Sequence, residues 1–552
     1  MKGIDFGTST SLMAKSSAFR TDVIPLGQSE MWMSSVVGAT EAGLVPGENA
    51  LALQERQLVR SIKSAITRNE NTVQVFDGNE DIELDVDAVI GSFLTHLRSV
   101  AEEQFFTLQD LADVRLGCPA MWTGTQRQRL INIASSAGIG AADHTVIDEP
   151  IAAGIAWVSQ RLENHDPVRG KVLVFDMGGG TLDVAVLNVL AEPGRDLSIS
   201  VQSAHGIDQA GDSLDEQMAN DFAEYLHQKH GMNPIDDPEL MGWIRRGASE
   251  AKIDLSSSGT TLATFYHPRV DIPSIPYTRE QLAEIFVPQL EVAMDVVWRS
   301  LRAALMTQVN SPVKQNTLTL DQARNTSQDA LAKDVDYVVL VGGMSMVPAV
   351  RERLGKVFPQ ASLWMGDQLA TGAVMTNPNQ LVARGLAYSD DYHNINLHRP
   401  GFDFVLSWEE AEGVRTEELI YAAYSPLYTT ESAFQNSSLK YFWRPDPKEL
   451  PRAGDGEIRV RTLGGNEIGV RDGDQLLHGI PYSFGTNTEQ VVTLEPSGRI
   501  FIRDGMGNER ATRVAQWPVI RAEGGIAELI IDTPVTKHWP TSKPAFHEIP
   551  YD

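Results

Sequence analysis

The run Val174-Phe175-Asp176-Met177-Gly178-Gly179-Gly180-Thr181-Leu182-Asp183 decides the fold. An apolar strand leads into an aspartate, a turn of small residues follows, and Val184-Ala185-Val186-Leu187 resumes the strand. Ile4-Asp5-Phe6-Gly7-Thr8-Ser9-Thr10 has the same grammar about 170 residues earlier and resumes at Leu12-Met13-Ala14. Backbone amides in a glycine-rich turn converge on one concavity and bind phosphate oxygens. Glycine is needed where the chain approaches a phosphate too closely for a Cβ, which points to Gly7, Gly178, Gly179 and Gly180, with Thr8, Ser9 and Thr181 adding hydroxyl donors. Asp5, Asp176 and Asp183 are anionic like phosphate, so they make sense there only with a cation between, and hydrated Mg²⁺ is the expected one. The bland alternative is a pair of hairpins with glycine turns. There is no GxxxxGK[ST] and no GxGxxG opening a helix, so neither a P-loop nor a Rossmann site is expected.

The chain has 552 residues, 42% apolar and 22% charged, which suits several soluble globular domains. Its 46 Lys and Arg against 73 Asp and Glu give a formal charge of −27, which repels phosphate backbones, so no nucleic-acid partner is expected. Cys118 is the single cysteine and reads as a small buried residue in a chain without disulfides. No run is long and apolar enough to span a membrane, no apolar leader opens the chain, and the twelve histidines show no metal spacing. A cytoplasmic protein is expected.

From residue 1 to about 390, strands alternate with amphipathic helices, the mark of α/β architecture. Strands are expected at 116–118, 171–175, 199–201 and 337–341, and helices at 125–136, 151–161, 213–229, 240–255, 279–306 and 348–357. Residues 307–335 read as a polar insertion with a helical second half. Residues 389–401 read as a linker. Beyond it, short alternating runs at 457–461, 490–494 and 499–503, separated by turns, predict a mainly-β sandwich over 402–535, followed by a tail at 536–552. Val338-Val339-Leu340-Val341-Gly342-Gly343 is a buried strand ending in two glycines, where a flat base or ribose can lie against backbone. Pro348 suits the first turn of the next helix.

Eight segments in order carry a resemblance: IDFGTSTS (4–11), GCPAMWTGTQRQ (117–128), DEPIAAGIAW (148–157), VFDMGGGTLDVAV (174–186), AGDSLD (210–215), EAKIDLSSS (250–258), VLVGGMSMVP (339–348) and NPNQLVARGLAY (377–388). Over residues 1–388 the chain resembles the ATPase domain of the DnaK heat-shock chaperone family. The outline is that of a lidless, divergent member similar to the YegD-like group. The resemblance implies an actin-like fold of two ribonuclease-H-like lobes around ATP or ADP, with Mg²⁺ and potassium positioned by Asp5 and Asp176. It implies that Lys63, Glu149, Asp183 and Thr181 serve catalysis, and that Thr8, Ser9 and 178–181 hold phosphates. It places Lys252, Ser256, Gly342, Gly343 and Met344 around the adenosine, and it implies an interdomain relay through Pro119 and Arg127. Without the resemblance, Lys63 reads as a solvated surface lysine.

Met344 and Met346 stand where the family has a small polar residue and an arginine that lies over the adenine, so base stacking is expected to differ. Asn379 replaces the family's aspartate, and Ser249 stands where a glutamate is expected. The function implied is an ATP-dependent chaperone that hydrolyses ATP slowly and captures extended polypeptide on the β domain, with a co-chaperone or nucleotide-exchange factor as a further partner. Two alternatives stay open: a nucleotide-binding scaffold or holdase with little turnover, and a small-molecule kinase on the same fold.

Overall fold

The computed structural model describes residues 2–17, 21–27, 30–104, 111, 114–140, 146–192, 198–307, 318–366, 378–388, 399–410, 413–429, 432–433, 435, 438–446, 448–472, 474–486, 488–496, 498–516 and 528–532. Most of the 389–401 linker, the core of the polar insertion (308–317), Asn377 and the 536–552 tail lie outside the described residues. The chain divides into two compact units, Met1–Asn396 and Leu397–Asp552.

The first unit holds one sheet plan twice. In the first lobe β1 (Lys2–Phe6), β2 (Thr10–Ser16) and β3 (Thr21–Ile24) form an antiparallel meander, with β4 (Met33–Ser34) beside β2. A smaller region follows, built from β5 (Val37–Thr40), β6 (Gly43–Pro46), β7 (Leu58–Val59), α1 (Ile62–Thr67), β8 (Thr72–Phe76) and β9 (Asp81–Asp85). Next comes α2 (Val86–Gln104), and β10 (Val114–Cys118) then joins β1 in parallel. α3 (Gly124–Ser136) leads to β11 (Val146–Asp148), parallel to β10, and to α4 (Glu149–Glu163).

In the second lobe β12 (Val168–Met177), β13 (Leu182–Ala191) and β14 (Ser198–Ile207) repeat the meander. α5 (Gly211–His230), α6 (Pro238–Ser257), the hairpin of β15 (Thr260–Ala263) and β16 (Ile275–Thr278), α7 (Arg279–Met306), α8 (Leu320–Asn325) and α9 (Gln328–Lys333) fill the excursion. β17 (Tyr337–Val341) joins β12 in parallel, and α10 (Pro348–Val357), β18 (Ser362–Trp364) and α11 (Leu381–Ala387) close the repeat. The orders β3-β2-β1-β10-β11 and β14-β13-β12-β17-β18 match strand for strand. This is the duplicated ribonuclease-H-like, actin-like arrangement that the resemblance implies.

Alternation along the strands assigns the faces. In β12, Leu173, Phe175 and Met177 enter the second lobe's core with Val184 and Val186 of β13. Val172 and Val174 face the other way, packing with Ile151, Ile155, Leu381 and Leu386. Both faces of this central strand are therefore buried, which is why it reads as an unbroken apolar run. In β1, Ile4 and Phe6 enter the first lobe's core, and Gly3 abuts Leu386 and Ala387 of α11. The helix α2 was not expected, although Val86, Val89, Ile90, Phe93, Leu94 and Leu97 bury one face at helical spacing.

The second unit is built of strands: β19 (Asp403–Glu409), β20 (Arg415–Tyr421), β21 (Tyr441–Trp443), β22 (Gly454–Arg461), β23 (Glu467–Asp472), β24 (Gln475–Leu477), β25 (Ile480–Phe484), β26 (Val491–Leu494), β27 (Arg499–Arg503), β28 (Glu509–Gln516) and β29 (Glu528–Asp532). The order is β20-β19-β22-β23-β29-β28-β27-β26-β21, with β25 on β22 and β24 on β23. All three expected runs lie on strands: β22, β26 and β27. Phe404, Ile458, Val460, Ile480, Phe484, Val492, Leu494, Ile500 and Ile502 are buried.

In the first unit α4 and α11 cross so closely that a Cβ on Gly385 would lie 1.8 Å from the Ala152 carbonyl oxygen. Gly385→Ala is expected to force these helices apart and cost about 1–3 kcal/mol, read as a lowered denaturation midpoint. Gly355→Ala in α10, with nothing within 4 Å of the new Cβ, is the control and should be neutral or stabilise by up to ~1 kcal/mol.

Candidate functional site

The two glycine turns meet. Gly7 closes the β1–β2 turn so tightly that a Cβ would lie 2.2 Å from the Thr10 carbonyl oxygen. In the β12–β13 turn the Gly178 amide donates to the Thr181 carbonyl at 3.0 Å. A Cβ on Gly179 would strike Ser9 Oγ at 2.3 Å, and one on Gly180 would strike Thr8 Oγ1 at 2.6 Å and Ser64 Oγ at 2.8 Å. Thr8 and Ser9 of the first turn therefore lie against Gly180 and Gly179 of the second, and Ser64 joins them although sequence reading did not single it out. The first two amides of α5 are taken by carbonyls of the second turn: Gly211 donates to Gly178 at 3.1 Å and Asp212 to Gly179 at 2.7 Å.

Strand alternation places the carboxylates. Asp176 and Asp183 stand opposite each other in the β12–β13 register and share the parity of Val174 and Ala185, so they lie on the sheet face turned away from the second lobe's core. Asp5 shares the parity of Gly3 on β1, away from the first lobe's core. Asp183 accepts the Ala120 amide at 2.7 Å, and Gly206 leaves it room, since a Cβ there would lie 2.2 Å from its Oδ1. Glu149 is the first residue of α4 and forms a buried ion pair with Lys63 of α1. Lys63 is 2% exposed, so the solvated-lysine alternative does not hold. The Trp122 ring centroid lies 5.9 Å from its Nζ.

Burial and the Glu149 charge push the Asp5 carboxyl up to about 7, against an opposing pull from Lys63. Burial and Glu149 push Asp183 to about 8, against hydrogen bonds from Thr181 and Ala120. Asp176 is raised well above the carboxylate range by burial, Glu149, Asp183 and Asp5. Burial opposes the charge on Lys63, but Glu149 and Asp5 more than offset it and hold the ammonium above its ordinary value. With four carboxyls against one ammonium, the aspartates thus retain protons in the cation-free chain, and a counter-cation beside them would favour their ionised forms. Hard carboxylate oxygens suit Mg²⁺, which keeps most of its water and takes one or two carboxylates together with phosphates. Among the described residues no three His, Cys, Asp or Glu side chains converge as a metal-ligand group.

The expected adenosine side is at β17 and α6. Gly342 has φ +80°, and a Cβ would lie 2.4 Å from the Met177 carbonyl oxygen and 2.7 Å from Asp176 Oδ1. A Cβ on Gly343 would meet nothing within 4 Å. Lys252 pairs with Asp215 at 2.7 Å and donates to the Gly211 carbonyl at 3.2 Å. Ser256 Oγ donates to the Lys252 carbonyl at 3.1 Å within α6. The Met344 side chain is 3% exposed and packs in the second lobe's core, within the 3₁₀ turn Gly343–Met346. Met346 is the outward residue, 43% exposed. Ser345 supplies a small polar group here, its hydroxyl donating to the Gly342 carbonyl at 2.6 Å.

Pro119 is buried beside Cys118. Arg127 is fully buried, donates through Nε to the Trp122 carbonyl at 3.0 Å and pairs with Asp148 at 2.6 Å, next to Glu149 in sequence. Asp148 is the partner that sequence reading missed. Burial pushes the Cys118 thiol up, which keeps it inert. No described helix is long and apolar enough to cross a membrane.

The sequence model of the family described as "Hsp70 protein" matches residues 1–388. The chain is similar to "Chaperone protein DnaK" of Thermotoga petrophila, 27% identical over 384 residues, covering 68% of this chain and 58% of the relative. It is similar also to proteins of that name from Thermosipho melanesiensis, 26% identical over 391 residues (70% and 58%), and Thermosipho africanus, 27% over 382 (68% and 58%). The matches therefore span less than two thirds of these relatives' length, and the family match ends before the β unit.

A carboxyl whose pKa rises on folding holds its proton more tightly in the folded chain. Its contribution is then full below the unfolded value near 3.8 and is lost as pH climbs to about 7 for Asp5 and about 8 for Asp183. Metal-free and nucleotide-free protein should melt progressively lower from pH 5 to pH 9. Asp5→Asn and Asp183→Asn should each flatten that slope, and added Mg²⁺ should raise the melting temperature more at pH 9 than at pH 6.

Proposed function

The chain belongs to the Hsp70 family, and from that premise we propose that its first 388 residues bind ATP between the two lobes and hydrolyse it slowly. The β unit, read as a sandwich, would hold extended polypeptide in the manner of a DnaK-type chaperone. The observation that carries the proposal is the junction of the two glycine turns with the buried Lys63–Glu149 pair. Phosphates would sit against the amides of 178–180 and the hydroxyls of Thr8, Ser9 and Thr181. Lys63 would point its charge at the terminal phosphate. Glu149, Thr181 and Asp183 would orient the attacking water and hold its departing proton. Mg²⁺, held through water by Asp5 and Asp176 with potassium as a second cation, would supply charge neutralisation. Catalysis of this kind rests on positioning and electrostatics, with no covalent intermediate on the protein. Gly342 and Gly343 would lie against the nucleoside, and Lys252 and Ser256 would flank it.

The kinase alternative finds no support, because the chain's second unit is built of strands outside the two lobes. For the β unit, strand addition at a sheet edge is a physical route to peptide capture, with main-chain hydrogen bonds giving affinity and pockets giving preference. The edge strands β20 and β21 expose Leu419 and Phe442. A co-chaperone or nucleotide-exchange factor is a further partner under this reading, and Pro119 and Arg127 are the proposed relay.

Single-turnover ATP hydrolysis tests the proposal. Lys63→Ala and Thr181→Ala should each lower the hydrolysis rate by about 10²-fold or more, with smaller changes in nucleotide affinity. Tight ATP binding without turnover, unchanged by Lys63→Ala, would establish the scaffold or holdase instead. Stimulation of the wild-type rate by an extended apolar peptide would report coupling to the β unit.

A further inference from the structure

Ser61 precedes α1 with φ +52°, a left-handed conformation uncommon for a residue other than glycine. As the N-cap residue of α1 it makes no side-chain hydrogen bond to that helix, although serine favours doing so. Its hydroxyl instead donates to Asp212 Oδ2 at 2.6 Å, 151 residues along the chain and in the other lobe. Asp212 is the second residue of α5, and its own amide donates to the Gly179 carbonyl at 2.7 Å. The same α1 carries Lys63 and Ser64, the latter against Gly180. One hydrogen bond thus ties the lysine-bearing helix of the first lobe to the phosphate turn of the second. Nearby, a Cβ on Gly242 of α6 would stand 3.4 Å from Glu55 Cγ, so the lobes also touch there.

We propose that Ser61 and Asp212 form a clasp across the mouth of the cleft, holding α1 over the phosphate turns and slowing the escape of a bound nucleoside di- or triphosphate. The inference rests on the nucleotide-binding reading and adds to it two positioning residues that need not touch the ligand. A hydrogen bond with a charged partner is stronger than a neutral one. It can therefore govern how often the lobes part, and release requires that parting.

The test is release of a fluorescent ADP analogue from the full chain with Mg²⁺, chased by excess ATP. Ser61→Ala and Asp212→Ala should each speed release by about tenfold. The double variant should be no faster than either single one, because both remove the same bond. Asp212→Asn keeps an acceptor oxygen but loses the charge, and should release at a rate between wild type and Asp212→Ala. Ser61→Gly removes the hydroxyl and the backbone strain together. It should release as fast as Ser61→Ala while melting no lower than wild type, a combination that a merely structural role would not produce. Wild-type release rates in Ser61→Ala, Ser61→Gly and Asp212→Ala would overturn the clasp while leaving the nucleotide site standing. Absence of analogue binding to wild type would overturn the nucleotide reading, and the clasp with it.

Discussion

Glu149, Asp176 and Asp183 are buried and Asp5 is half-buried beside them, and Lys63 is a cation that bears on each of the three aspartates. Desolvating this much like charge is costly. Shallow alternatives existed for the chain, because each aspartate sits at a strand end beside a turn and could have been left in water. The fold instead turns the aspartates inward by strand parity: the same alternation that sends Leu173, Phe175 and Met177 into one core sends Asp176 to the opposite face. A site built on such parity is rigid, since slipping β12 by one residue would exchange the carboxylate for a core side chain.

The duplicated plan sets one glycine turn from each lobe against the other. Each lobe offers one hairpin turn and its strand-end carboxylates, Asp5 in the first lobe and Asp176 and Asp183 in the second. Close approach of α4 and α11, which depends on Gly385, brings the equivalent sheet faces together. Gly3 against α11 and Gly154 against Leu187 and Val174 serve the same packing. Glycines away from the two turns thereby set how the turns meet. The β unit has its own core and its own strand order, and the family match stops short of it.

Much of the first unit was legible in the sequence. The helices expected at 125–136, 213–229 and 279–306 are α3, α5 and α7, because caps and apolar periodicity are local signals. Asp5, Thr8, Asp176 and Thr181 stood out because Asp, Gly and Thr recur in the same order at two strand ends. Lys63 was legible only through the resemblance: nothing in Arg60-Ser61-Ile62-Lys63 tells a buried lysine from a solvated one until Glu149 is beside it. The inward turn of the Met344 side chain was not legible, since a 3₁₀ turn rotates successive side chains by about 120°, and the sequence does not say which of Met344, Ser345 and Met346 faces the core.

What the sequence determined by itself is a matter of short-range chemistry: two Asp–Gly–Thr turns on strands, a helix after each parallel strand, and a separate run of alternating segments at the end. What only the tertiary structure decided is every relation across long separations. The Lys63–Glu149 pair, the Arg127–Asp148 pair, the placement of Thr8 and Ser9 against Gly179 and Gly180, and the bond from Ser61 to Asp212 are all of this kind. The reason is physical: local propensities depend on neighbours a few residues away, whereas the energy of a buried charge depends on what the packing of distant elements places against it.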